Sequence, residues 1–243
     1  MFAADDRDAV RTRLIALAEA DPGISGAAVI GSFAGSGGDR WSDIDLMLGV
    51  EGDLGAALER WTAVLVGEWG VVHHWDLPVG ASVYRVFLLQ NGLEVDLGFA
   101  PAAGFGPRGP AWRLLFGTPV VLEHARPADR DTLIGMAWHH VLHVSTCVER
   151  GRPWQALRWL NEARGKVFGL IDLRLGAPDG FTPKEDALPE EATAPLVGSI
   201  AGSLEPAELR RALAVVIGAL DHEVELCDPS LAARLRLLLA AVA

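Results

Sequence analysis

GSFAGSGGDRWSDIDL, residues 31–46, carries two patterns in sixteen positions. Its first half is a glycine- and serine-rich turn. Its second half alternates Asp43 and Asp45 with Ile44 and Leu46. Side chains two apart on a strand share a face, so this alternation predicts a half-buried strand with both carboxylates on one side and the apolar residues in the core. Immediately upstream, GAAVIG at 26–31 reads as a buried strand running into the Gly31-Ser32 turn. Two adjacent carboxylates with no lysine or arginine beside them repel each other unless something positive lies between them.

A third acid completes the pattern. LEVDLGF, residues 93–99, is a further apolar strand, with Glu94 and Asp96 on one face. A neighbouring position for that strand lets Asp43, Asp45 and Asp96 share hard divalent cations such as Mg²⁺. Two such ions about 3.5–4 Å apart stabilise the attacking and leaving oxygens of a displacement at phosphorus. The Gly-Ser turn suits the same chemistry, because glycine admits close approach of a phosphate and N–H and hydroxyl groups can hold its oxygens.

The ordered set of apolar strand, Gly31-Ser32, ten-residue spacer, Asp43-Ile44-Asp45 and later Val95-Asp96-Leu97 resembles the DNA polymerase β-like nucleotidyltransferase superfamily. GSFAGSGGDRWSDIDL is similar to its small-molecule branch, the aminoglycoside and lincosamide nucleotidyltransferases. Motif-level similarity covers residues 26–99; over the later half it is looser and rests on Leu160-Asn161-Glu162-Ala163-Arg164. The resemblance implies phosphate binding by Gly31 and Ser32 and metal binding by Asp43, Asp45 and Asp96. It implies a general base that is either Asp96 or Glu94. Arg164 and, in a loop, Lys184 match nucleotide-binding positions. The implied reaction transfers a nucleoside monophosphate, AMP from ATP in the first instance, to a hydroxyl of a small molecule, with release of pyrophosphate. Rival readings keep the fold with a protein or tRNA acceptor, as in toxin–antitoxin systems, or reduce the chain to a degenerate nucleotide-binding module.

Outward from the motif, residues 4–20 have helical apolar spacing that stops at Asp21-Pro22-Gly23, and 53–66 form a second amphipathic pattern. Strand-like runs follow at 71–76, 82–89 and 93–99, the last two joined by Gln90-Asn91-Gly92, a hairpin signal. PAAGFGPRGP at 101–110 reads as a loop and Pro119–Glu123 as an edge strand. Beyond residue 128 the pattern is helical, near 129–150, 153–175, 190–202, 205–227 and 229–242. The expected fold class is therefore α+β: a small mixed-sheet nucleotidyltransferase domain with flanking helices over 1–124, then an all-helical substrate- and nucleotide-binding domain over 125–243. A cleft between the halves would hold the acceptor.

Composition narrows the partners. Among 243 residues, 50% are hydrophobic and 22% charged, which fits a folded core. Lys and Arg total 21 against 32 Asp and Glu, a formal charge of −11 that disfavours DNA and suits a cationic acceptor such as an aminoglycoside. The two cysteines are too few for a disulfide framework, the acidic-and-basic start MFAADDRDAVRTR is unlike a signal peptide, and no apolar run spans a membrane. A cytoplasmic protein is expected; oligomeric state is not encoded legibly. Ser36, Ser42 and Arg40 are secondary phosphate candidates, with Ser42 better suited to fixing the strand entry. Trp75 and Asp76 are candidates for an acceptor pocket, with edge-strand filler the blander reading. His139 and His143 have zinc-compatible spacing but lack a third ligand nearby, so a packed pair is expected. Trp138, Trp154 and Trp159 are expected in the core.

Overall fold

The structure, a computed structural model, describes residues 2–35, 38–123, 128–176 and 185–241. The chain divides into two compact units, Met1–Ala125 and Arg126–Ala243.

In the first unit, α1 (Ala4–Ala20) opens with Asp5 and Asp6, where acidic groups favour the helix dipole. It ends at Asp21, whose carboxylate accepts hydrogen bonds from Gly23 N (2.8 Å), Trp61 Nε1 (3.0 Å) and Arg60 Nη2 (3.0 Å). That one side chain links the end of α1 to α2 (Leu54–Trp69), a helix capped by Asp53 accepting from Gly55 N. The sheet strands are β1 (Ile24–Ile30), β2 (Ile44–Val50), β3 (Val71–Val79), β4 (Ser82–Leu89), β5 (Glu94–Pro101) and β6 (Trp112–Phe116), in the order β3-β4-β5-β2-β1-β6. β2 and β5 run parallel at its centre and the other described pairs are antiparallel, so the sheet is mixed. One face packs under both helices: Leu14, Ile44, Leu46, Trp61, Leu65 and Leu97 belong to that core. A smaller cluster of Ala28, Met47, Ala100 and Phe105 lies elsewhere in the unit.

The β4–β5 hairpin turns at Asn91-Gly92, with Gly92 at φ +82° and Asn91 Oδ1 accepting from Leu93 N. The edge strand beside β1 is Trp112–Phe116, not the expected Pro119–Glu123. Gly117, at φ +89°, ends β6, and a Cβ there would press on the β1 backbone at Gly26 (2.5 Å). The later segment instead runs beside the 105–106 loop, where Val120 N donates to Phe105 O. Pro119 has no N–H for a ladder, which favours the earlier run as the paired one.

The second unit is helical: α3 (Arg130–Glu149), α4 (Pro153–Leu175), α5 (Glu190–Val197), α6 (Pro206–Cys227) and α7 (Pro229–Leu239). Prolines open α4, α6 and α7, where the missing N–H costs nothing. Val141, Val144, Leu160, Val167, Leu213 and Val216 build its core. Arg174 grips Glu223 through two 2.8 Å bonds, joining α4 to α6. α5 stops at Val197, short of the expected 202, because the chain turns there to bury Ser199. Trp154 is 72% exposed and Trp138 36%, against the expectation of core positions; only Trp159 packs on the core. Both cysteines are free. Among the described residues no helix is long and apolar enough to cross a membrane.

Candidate active site

The parallel register of β2 and β5 sets Asp45 directly beside Asp96, and their neighbours Ile44, Leu46, Val95 and Leu97 point into the helix-covered core. Both carboxylates therefore project from the opposite face. Asp43, just before β2, and Glu94, the first residue of β5, extend each pair by one step along that face. Burial pushes the Asp45 carboxyl up to about 7, with the charges of Asp43 and Asp96, a hydrogen bond to Asp43 and the charge of Glu94 adding to it. Asp96 rises to about 6 through burial and the charges of Asp43 and Glu94. Its Oδ1 is buried with no hydrogen-bond partner. Among the described residues no lysine or arginine forms an ion pair with any of the four acids.

Such a cluster is costly for the fold by itself and becomes favourable when a cation enters. The all-oxygen donor set and the orphaned Asp96 Oδ1 fit a hard divalent ion. Among the described residues no group of three or more His, Cys, Asp or Glu is already arranged to hold a metal ion. Burial and mutual repulsion favour the protonated forms of Asp45 and Asp96, and metal binding would exchange such protons for the cation.

Gly31 lies against this row. Its φ is +65°, and a Cβ there would come within 2.7 Å of the Asp45 carboxyl carbon, so both conformation and space call for glycine. The following 3₁₀ turn, Gly31–Ala34, leaves Ser32 exposed and turns Phe33 back between Arg7 and Arg11 of α1, whose guanidinium carbons lie 4.6 and 4.3 Å from the ring centroid. Arg7, only 4% exposed, also donates to the carbonyls of Asp39 and Ser42. α1 thereby holds both ends of the loop that leads into β2. Ser42 Oγ accepts from Asp39 N at 2.8 Å, a local bond at the strand entry. Arg40 stacks on Trp41 at 4.0 Å, and Ser36 lies outside the described residues. Nothing in the spacing of Arg7 and Arg11 pointed to this anchoring role; only the loop's length hinted that something must hold it.

A cavity of about 220 Å³ adjoins Gly31, lined by Ile30, Met47, Tyr84, Arg108 and Trp112 among others. Burial raises the Tyr84 hydroxyl, with the Arg108 charge opposing and the Asp96 and Asp45 charges reinforcing the shift. Arg108 comes from the Gly/Pro-rich loop and escaped the sequence reading, since no periodicity assigns a direction to a loop side chain.

Asp76 is not a pocket residue: its carboxylate takes two bonds from Arg85, Nε–Oδ1 at 2.6 Å and Nη2–Oδ2 at 2.8 Å, which hold it well below the usual carboxylate range. Arg85 is 6% exposed and also donates to Thr62 Oγ1, so this pair ties the sheet to α2. Trp75, 51% exposed, is on the acid face two strands from Asp96.

In the helical unit, Arg164 donates to Ser199 Oγ (2.6 Å), Ser199 O (2.7 Å) and Asn161 Oδ1 (3.0 Å), and burial lowers its pKa. Lys184 lies outside the described residues. His139 and His143 are a hydrogen-bonded pair, Nε2 to Nε2 at 3.1 Å, with His143 stacked on Trp159 at 4.8 Å.

No protein-family model and no curated protein matches the chain. Among solved structures it is similar to an aminoglycoside 6-adenyltransferase from Bacillus subtilis, with 13% sequence identity, 94% of this chain and 95% of that chain covered, and a TM-score of 0.44.

Proposed function

We propose that the protein is a nucleotidyltransferase that moves a nucleoside monophosphate, AMP from ATP, to a hydroxyl of a small cationic acceptor of the aminoglycoside kind and releases pyrophosphate. One observation supports this above the rest: Asp45 and Asp96 stand side by side, flanked by Asp43 and Glu94, against a glycine turn and without a cationic partner among the described residues.

On this reading Asp43, Asp45 and Asp96 hold Mg²⁺, which supplies charge neutralisation for the phosphates and lowers the barrier to attack at phosphorus. The Gly31 turn lets the phosphates approach the backbone, and the exposed Ser32 hydroxyl donates to a phosphate oxygen. Glu94, exposed at the start of β5, or Asp96 takes the proton of the acceptor hydroxyl. A new P–O bond forms at the α-phosphorus as the α–β bridge breaks, and diphosphate leaves with the bonding electrons. Arg164, which matches a nucleotide-binding position in the resemblance, keeps two guanidinium N–H groups beyond its three bonds and is a candidate for binding phosphate oxygens. The net charge of −11 favours a cationic acceptor over a polyanionic one.

Pyrophosphate release, measured with ATP, GTP, CTP and UTP against aminoglycosides and lincosamides, tests the proposal, with Asp45→Asn as control. Release that depends on both a drug and Asp45 is expected. Label from α-³²P-ATP appearing on protein or tRNA instead would replace the small-molecule acceptor. Nucleotide binding without transfer to any acceptor would leave only a binding module.

A further inference from the structure

The cavity beside Gly31 contains a cation that the proposed chemistry has not yet used. Arg108 lines it together with Gly31, Met47, Tyr84 and Trp112, and its Nε is buried with no hydrogen-bond partner. Among the described residues Arg108 joins no ion pair, although the unit is rich in carboxylates. A buried guanidinium N–H without an acceptor has lost its hydration with nothing in return, and a ligand oxygen is the natural means of recovering it. At roughly 30 Å³ per water, a volume of about 220 Å³ has room for a diphosphate-sized anion. Its wall at Gly31 abuts Asp45, so an anion there would sit next to the acids that attract divalent cations. Arginine's planar fork is suited to phosphate oxygens in such a setting.

We propose that this cavity is an oxyanion subsite whose cation is Arg108, and that it receives the diphosphate portion of the nucleotide. The assignment rests on the nucleotidyl-transfer reading for the identity of the anion. Arg108 would neutralise charge on the diphosphate as the α–β bridge breaks, without taking or giving a proton.

Calorimetric titration of the full chain with inorganic pyrophosphate, inorganic phosphate and ATP, each in Mg²⁺, tests it with Arg108→Gln and Arg108→Lys. Pyrophosphate and ATP should bind about ten- to a hundredfold more weakly to Arg108→Gln, with partial recovery in Arg108→Lys. In the unmutated protein, pyrophosphate should protect Arg108 from phenylglyoxal, read by peptide mass spectrometry, a result that a purely structural role would not produce. Binding by Arg108→Gln within twofold of the parent, or modification of Arg108 unaffected by saturating pyrophosphate, overturns the subsite. Inorganic phosphate binding that needs Arg108 while ATP binding does not would move the anion to the acceptor and overturn the diphosphate assignment. Arg108-dependent pyrophosphate binding without transfer from any nucleotide would keep the subsite and remove the transferase reading. Transfer unaffected by Arg108→Gln in both kcat and KM would do the reverse.

Discussion

The two faces of the sheet treat charge in opposite ways. On the helix-covered face, Arg85 is almost fully buried, yet its donors reach Asp76, Thr62 and the Leu58 carbonyl. On the other face, four carboxylates crowd together, Asp96 Oδ1 has no partner, and the nearby Arg108 Nε is also orphaned. A charge whose partners are all internal holds the fold together. One left without partners in a half-buried setting is a place for something that is not part of the chain.

The contrast can be broken most severely at the acids. Asp45→Asn should reduce transfer by about a thousandfold or more, since it removes electrostatic stabilisation where charge develops, as read by pyrophosphate release. The same change should raise the melting temperature of the metal-free protein at pH 8. Each unit of the Asp45 shift corresponds to about 1.4 kcal/mol, and partial solvation scales the gain to about 2 kcal/mol. Loss of activity with loss of stability would put Asp45 in the same class as Arg85.

Arg85→Ala should act on the fold instead. It leaves Asp76 without its partner and opens space beneath α2, costing about 2–3 kcal/mol in denaturant unfolding. Gly31→Ala forces a side chain into a left-handed backbone conformation and against Asp45, with an expected cost of about 1–2 kcal/mol and a disproportionate loss of transfer.

Acidity provides a gentler probe. Because the folded protein raises Asp45 to about 7 and Asp96 to about 6, it binds more protons than the unfolded chain between about pH 4 and 7. Metal-free stability should therefore fall as pH rises through that window, reaching its full penalty above 7. Melting curves with Mg²⁺ should show a flatter dependence, because the cation replaces the protons; identical slopes with and without it would argue against metal on these acids. The smallest effect is expected at Trp154→Ala, within about 0.5 kcal/mol, since that ring is 72% exposed.

The sequence made some of this legible because period-two alternation assigns faces without needing the fold. Asp43, Asp45, Glu94 and Asp96 could be placed on exposed sides of strands from their apolar neighbours alone. The Asn91-Gly92 turn likewise announced its hairpin through the backbone conformation that glycine permits. What could not be read were contacts made by register and by loops. Asp76 meets Arg85 only because β3 and β4 pair at that offset, which no local pattern around Asp76 encodes. Trp112–Phe116 follows a Gly/Pro-rich segment and is interrupted by Arg113, whereas the adjacent valines of Pro119–Glu123 give the stronger local strand signal. Helical spacing suggested buried positions for Trp138 and Trp154, but a helix with neighbours on one side leaves large rings outside.

The parallel pairing of β2 with β5 has one more consequence. Two strands pointing the same way must be joined by an excursion, and here that excursion is α2, β3 and β4. Length added at the far turn, Gly80-Ala81, would be absorbed within the excursion and would not slide one central strand past the other. The architecture thus separates a part that can drift in size from a part that tolerates no slippage, and the peripheral ribbon can be remodelled while the central row of acids keeps its alignment.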